Sequence, residues 1–272
     1  MAISLISKVL KSLLRPHWRR YKAYVNSRPR PGQNVDWLTQ LNALGIAPVS
    51  TVLDVGANTG QNISSLRWAF PEARYFLLEP HPDLARNLRS LCADIPRVSV
   101  HEVALSQSGG RQRFFMNAYH ETSSLLPRSS ESEKLDYMTP RGETTVLCQT
   151  LEEFCAEHQL SRVDVLKLDT QGNELPILKG AGAALANVRV IYAEITFCSL
   201  YDGQSNAWEL GRYLETQDFI FFGFYHQIIG ENGRLLWGNG MWLNARFFPQ
   251  VAERKLETFE MKLNEEHAGA VH

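Results

Sequence analysis

Short runs of apolar residues recur between residues 51 and 195, each followed by a polar turn and then a stretch with helical spacing. Thr51–Val55, Arg74–Leu78, Val98–Val103, Val163–Leu168 and Val188–Ile195 read as strands by their length and their Val, Ile and Leu content. Helical spacing runs from about Gln61 to Phe70, where Pro71 ends it, and from His81-Pro82-Asp83 to about Ala93. Thr150 with Glu153 makes a capping box for a helix through His158; a further helix reaches about Leu185, and another covers roughly Ala207–Thr216. A helix over Val35–Leu44, closed by Gly45 and Pro48, precedes the first strand, and Phe219–Tyr225 and Gly240–Phe247 supply the last two strands. Apolar strands alternating with helices predict an α/β fold with a mostly parallel sheet, and ligands lie at the strands' carboxyl ends in such folds.

The rhythm breaks over residues 107–149, an insertion expected to serve as a substrate lid. Gly109-Gly110 marks a turn, and Arg113–Met116 and Thr144–Cys148 can pair as an antiparallel excursion. Residues 117–127 are expected to form the lid and 128–142, rich in Ser and Glu, to be mobile. The divisions that follow are 1–48 for the N-terminal helices and linker, 49–250 for the main domain, and 251–272 for a C-terminal helix and tail, helical over Val251–Asn264.

The chemistry concentrates at Thr51 to Gly60, a strand running into a turn of the form G-x-x-x-G, with Asn58 or Thr59 available to cap the helix that follows. A dinucleotide site asks for G-x-G-x-x-G, and no Tyr-x-x-x-Lys pair is present to serve an NAD enzyme. Gly56 and Gly60 let a ligand approach the backbone, and Asp54 suits a ligand carrying an ammonium or sulfonium charge. Glu79 follows the second strand, where an acid takes a ribose diol. Together these acids and glycines point to S-adenosylmethionine.

The segments Val52–Gly60, Glu79-Pro80-His81-Pro82 and Leu166–Glu174 resemble those of the FkbM family of S-adenosylmethionine-dependent methyltransferases. Val103-Ala104-Leu105, Ser123-Ser124-Leu125, Leu178–Ala181 and Ala193-Glu194-Ile195 extend the resemblance over about residues 50–225. It implies a Rossmann-like methyltransferase fold with a seven-stranded sheet and O-methylation of a hydroxyl, that of a sugar in a glycolipid or polysaccharide, or of a small polyketide-like natural product. It also implies cofactor contacts at Asp54, Gly56, Ala57, Asn58, Gly60, Glu79, Pro80, Ala104, Leu105 and Asp169. One position departs from the family pattern: Gln171 stands where a Glu is common. A cofactor-binding subunit without turnover is the reading that Gln171 favours.

Asp169 and Glu194 end adjacent predicted strands. Either is a candidate base, or the two together could hold a divalent ion, Mg or Mn. His120, in the lid, and His226, after the sixth predicted strand, are further candidate bases. Lys167 is expected to pair with an acid. Trp208, Tyr201, Phe224 and Trp242 are candidates for an apolar wall against a sugar ring.

Charge changes the picture at one end only. Residues 1–30 carry eight basic residues and no acidic one, leaving 20 basic against 29 acidic in the remainder. An acidic body argues against a nucleic-acid partner. Ile3, Ile6, Val9, Leu10, Leu13 and Leu14 fall on one helical face among these basic residues, so residues 3–24 read either as a peripheral membrane anchor or as a helix docked on the domain or on a second copy in a homo-oligomer. Four cysteines without paired spacing and no apolar run long enough for a bilayer suggest a cytoplasmic protein, with any membrane contact at the inner face. The acceptor partner is then a sugar- or lipid-linked small molecule.

Overall fold

The structure, a computed structural model, describes residues 36–253. The basic N-terminal helix, its linker and the tail beyond Glu253 lie outside the described residues.

A seven-stranded sheet forms the centre. Its parallel strands are β1 (Thr51–Val55), β2 (Arg74–Leu78), β3 (Val98–His101), β7 (Val163–Leu168) and β8 (Val188–Thr196). The edge pair β9 (Phe219–Ile229) and β10 (Leu235–Asn244) is antiparallel. The order is β3-β2-β1-β7-β8-β10-β9, so the chain starts at the middle, winds to one edge, and returns through β7 to build the other half. A second, three-stranded sheet is made of β4 (Ala104–Leu105), β5 (Gly110–Asn117) and β6 (Pro140–Gln149).

The central strands are apolar on both faces because helices cover both. Leu53, Val55, Leu166, Leu168, Ile191 and Ala193 pack with α4 (Leu151–Glu157), α5 (Glu174–Lys179) and α6 (Ala207–Thr216). Val52, Val165 and Val190 point the other way, into a core with α1 (Trp37–Ala43), α2 (Ile63–Ala69) and α3 (Pro82–Cys92). There Trp37 stacks on Tyr192 with ring centroids 4.1 Å apart. Thr150 and Glu153 close the expected capping box on α4, and Asn206 with Glu209 closes another on α6.

Several boundaries differ from those expected. The third strand stops at His101, and Ala104 crosses to pair with Cys148 in the small sheet. Neither Asn58 nor Thr59 caps α2, whose N-cap position is Asn62; the Asn58 side chain instead accepts from Thr59 N. The helix expected to reach Leu185 breaks after Lys179 and resumes as a 3-10 turn, Gly182–Asn187. The last strand is Leu235–Asn244 rather than Gly240–Phe247. Residues 128–142 are structured: Ser129 N donates to Leu200 O (2.9 Å), Ser129 Oγ to Ser199 O (2.7 Å) and Tyr119 N to Tyr137 O (3.2 Å). All four cysteines are free, and Cys92, Cys148 and Cys155 are buried.

At the amino end of the sheet, fully buried Asp164 ties three strands together. It accepts from Ser50 N (2.7 Å), Ser50 Oγ (2.8 Å) and Thr51 N (3.0 Å) at the head of β1, and pairs with Arg189 of β8 at 3.0 Å. Burial by itself raises its pKa, but these donors outweigh it and hold the carboxyl below its ordinary 3.8. Removing one partner of such a buried pair strands the rest. Asp164→Ala should cost about 3–5 kcal/mol in denaturant unfolding. The advantage of wild type should be complete above about pH 4 and disappear as the pH falls further, because the folded state holds this proton less tightly than the unfolded chain.

Candidate active site

The carboxyl ends of β1, β2 and β7, together with β4 and β5, surround a cleft of about 500 Å3, part of it open solvent. Its floor is the turn after β1. Gly56 takes φ +77°, and a Cβ there would lie 2.0 Å from Asp169 O, so no other residue fits. Gly56 N and Ala57 N both donate to Leu78 O, and Asp169 N donates to Val55 O, which fixes three strand ends relative to one another. Asn58, also left-handed at φ +52°, donates its N–H to Glu79 Oε2 (2.8 Å), while His81 N donates to Oε1 (2.8 Å).

Of the residues singled out in the sequence, Gly56, Asn58, Glu79, Pro80, Ala104, Leu105, His120 and Asp169 line this one cleft. The others do not. Asp54 is fully buried beneath it, directly opposite Lys167 in the β1–β7 register, with Lys167 Nζ 3.0 Å from its Oδ1. It therefore meets the protein's own ammonium rather than a ligand's cation. Ala57 is buried in the α2-side core, and Gly60 serves packing, since a Cβ there would lie 2.7 Å from Leu88 Cδ1. His226 is an exposed position within β9, its Nδ1 2.9 Å from the Tyr192 hydroxyl, and it is not part of the lining. The four aromatic candidates do not form a wall: Trp242 is core, Tyr201 buried, Phe224 half-buried, and Trp208 faces solvent.

Acidic side chains dominate the electrostatics. Burial raises the Asp54 carboxyl's pKa and Lys167 opposes it, with a net rise. For Lys167, burial works against the charged form, but Asp54 and Asp169 outweigh it and keep the ammonium protonated. Burial pushes Glu79 up to about 7 against the two backbone donors, with Asp54 and Asp169 adding to the rise. Burial, then the charges of Asp169 and Glu174, raise Glu194 well above the usual carboxylate range.

The expected Asp169–Glu194 pair is bridged by a residue that the sequence marked only as a departure. Gln171 Nε2 donates to Asp169 Oδ1 (3.0 Å) and to Glu194 Oε2 (2.9 Å). Its Oε1 lies 2.8 Å from the Tyr201 hydroxyl. Glu194 thus sits behind Gln171, outside the cleft lining, while Asp169 stays partly exposed at 31%. His120 Nδ1 lies 3.2 Å from Glu121 Oε2, and both residues line the cleft. Among the described residues, no group of three or more His, Cys, Asp and Glu is arranged to hold a metal. With one oxygen of each acid engaged by the amide and Lys167 Nζ 3.5 Å from Asp169 Oδ2, the expected pair does not fit a divalent cation.

The sequence model of the Methyltransferase FkbM domain matches residues 54–222. The chain belongs to this family. The FkbM chain is 25% identical over 193 residues to 2-O-methyltransferase NoeI of Sinorhizobium fredii, covering 68% of this chain and 79% of that protein. It is 28% identical over 155 residues to Methyltransferase sdnD of Sordaria araneosa, covering 47% of this chain and 59% of that protein. Among solved structures it is similar to the magnesium protoporphyrin IX methyltransferase ChlM of Synechocystis PCC 6803, at 12% identity, 76% coverage of both chains and a TM-score of 0.42.

This FkbM protein is an S-adenosylmethionine-dependent methyltransferase, and its cleft fits that cofactor. The Gly56 cradle would be filled by any Cβ, and the acids around it outnumber the Lys167 ammonium, which favours a sulfonium in a low-dielectric setting. Glu79 lines the same cleft and would accept ribose hydroxyls best when ionised. Affinity for S-adenosylhomocysteine should therefore rise as the pH climbs through about 7, by at most about tenfold per unit. Titration calorimetry of wild type against Glu79→Gln checks this: the variant should bind more weakly and lose that pH dependence.

Proposed function

We propose that this chain methylates a hydroxyl oxygen of a sugar, within a glycolipid or polysaccharide, using Asp169 as the base. The observation that carries the reading is the placement of Asp169. It is partly exposed in the cleft, its backbone carbonyl packed against Gly56, with its carboxylate oriented from two sides by Lys167 and Gln171. NoeI supports oxygen as the accepting atom, its name giving 2-O-methylation. A second cleft, lined by Trp208, Asn206, Arg234 and Glu131, supports a sugar, because an exposed indole face beside polar side chains matches a pyranose.

S-adenosylmethionine supplies an electrophilic sulfonium methyl when bound. Gly56 to Asn58 would hold its amino-acid portion, Glu79 its ribose, and Ala104 and Leu105 would flank its base. Asp169 would accept a hydrogen bond from the acceptor hydroxyl, orient its oxygen lone pair, and take its proton as the methyl passes from sulfur to oxygen and S-adenosylhomocysteine leaves. Lys167 and Gln171 engage the carboxylate without filling its lone pairs, so it retains acceptor capacity. His120, which also lines the cleft, is the alternative base.

Asp169→Asn should lower turnover by about 10²–10⁴-fold while leaving S-adenosylhomocysteine affinity nearly intact; undiminished turnover would remove Asp169 from the mechanism. The acceptor class is tested by transfer of labelled methyl into an extract of the source cells, split into lipid and aqueous phases. Label should appear in lipid or polymer and be released with sugar on mild hydrolysis. Label confined to aqueous small molecules would favour a natural-product acceptor instead.

A further inference from the structure

We infer that the side-chain amide of Gln171 replaces a divalent cation between Asp169 and Glu194, so that this chain transfers its methyl group without a metal and residue 171 sets that choice. The catalytic consequence rests on the proposed role of Asp169, but the binding claim stands on the geometry alone.

The two carboxyl groups lie at the ends of neighbouring strands, β7 and β8, an arrangement that ordinarily calls for a positive charge between them. Here the amide supplies it as two N–H donors, one to Asp169 Oδ1 at 3.0 Å and one to Glu194 Oε2 at 2.9 Å. The opposite amide orientation would set Oε1 against both acids. In the orientation that serves the acids, Oε1 faces the Tyr201 hydroxyl at 2.8 Å, and that hydroxyl also lies 2.9 Å from Thr122 O.

Gln171 cannot easily swing away. Its backbone is left-handed at φ +56°, and its carbonyl accepts from Ser124 Oγ at 2.8 Å. A Mg ion needs near-octahedral oxygens at about 2.0–2.1 Å, and an amide N–H in that position excludes it. Glu174, a further acid on this side, has its Oε1 turned to Thr170 N (2.8 Å) and Thr170 Oγ1 (3.0 Å). On the other flank of Asp169, Lys167 Nζ at 3.5 Å would repel a second cation. A glutamate at 171 reverses this arrangement: three carboxylates converge where two donors stood, and only a cation or protons can hold them together.

The test titrates Mn2+ alone into the full chain saturated with S-adenosylhomocysteine, following water-proton relaxation. Wild type should show no saturable site sensitive to Asp169→Asn, and its methyl transfer should be unchanged in strong chelator. Gln171→Glu should gain a saturable Mn2+ site that the double variant with Asp169→Asn loses. A saturable site in wild type that Asp169→Asn abolishes, or transfer lost in chelator and restored by Mg2+, would overturn the inference. A Gln171→Glu protein that keeps its circular dichroism and cofactor affinity yet binds no Mn2+ would overturn the role of residue 171. If that variant does not fold, the wild-type measurements decide. None of the binding measurements needs the acceptor, so failure here is distinguishable from failure of Asp169 as the base, which shows as undiminished turnover in Asp169→Asn.

Discussion

A single buried ammonium organises the centre of this molecule. Lys167 lies on the middle strand β7, in register with Asp54 of β1, and reaches toward Asp169 at its own strand's end. It is 5% exposed, so its charge is tolerable only because two carboxylates face it. Asp54, fully buried, could not be so without it. The pairing draws β1 and β7 together at the level where the Gly56 turn begins, and so sets the depth of the cleft. It also leaves the surroundings acidic, since one ammonium does not balance the remaining carboxyl groups.

Around that centre the molecule divides its tasks between two sheets. The seven-stranded sheet holds the cofactor end of the site on strand termini packed from both faces. The three-stranded sheet brings Phe114, and beyond it His120 and Leu125, to the opposite wall. The stretch of 128–142 is stitched to Ser199 and Leu200, which lie next to Tyr201 and through it to Gln171. The outer wall and the acid pair are thereby parts of one hydrogen-bonded framework.

Much of this was legible in the sequence where local pattern decides the outcome. Strands β1, β2 and β7 begin and end where expected, because continuous apolar runs buried on both faces stop at Gly56, Glu79 and Asp169. The third strand was not, because Val103-Ala104-Leu105 continues the apolar run while its partner changes from β2 to β6, a switch that periodicity does not encode. Residues 128–142 look mobile from composition, yet their order comes from partners some 70 positions away, such as Ser199. Site residues followed the same division. Those that act through backbone shape, Gly56 and Asn58, announced themselves through the turn. Asp54 and Glu194 do not line the cleft, and facing a ligand and facing Lys167 or Gln171 look alike in a sequence until the strand register and the left-handed turn at 171 are known.

The contact between Gly56 and the Asp169 carbonyl carries a consequence for how the protein works over time. Where a side chain would separate two loops and let them breathe independently, bare backbone against backbone makes them one rigid body. The order required to align a donor methyl with its acceptor is thus installed when the chain folds, not when ligands arrive. That alignment is therefore lost only when the strand ends themselves come apart, so the site keeps its shape for as long as the central sheet does.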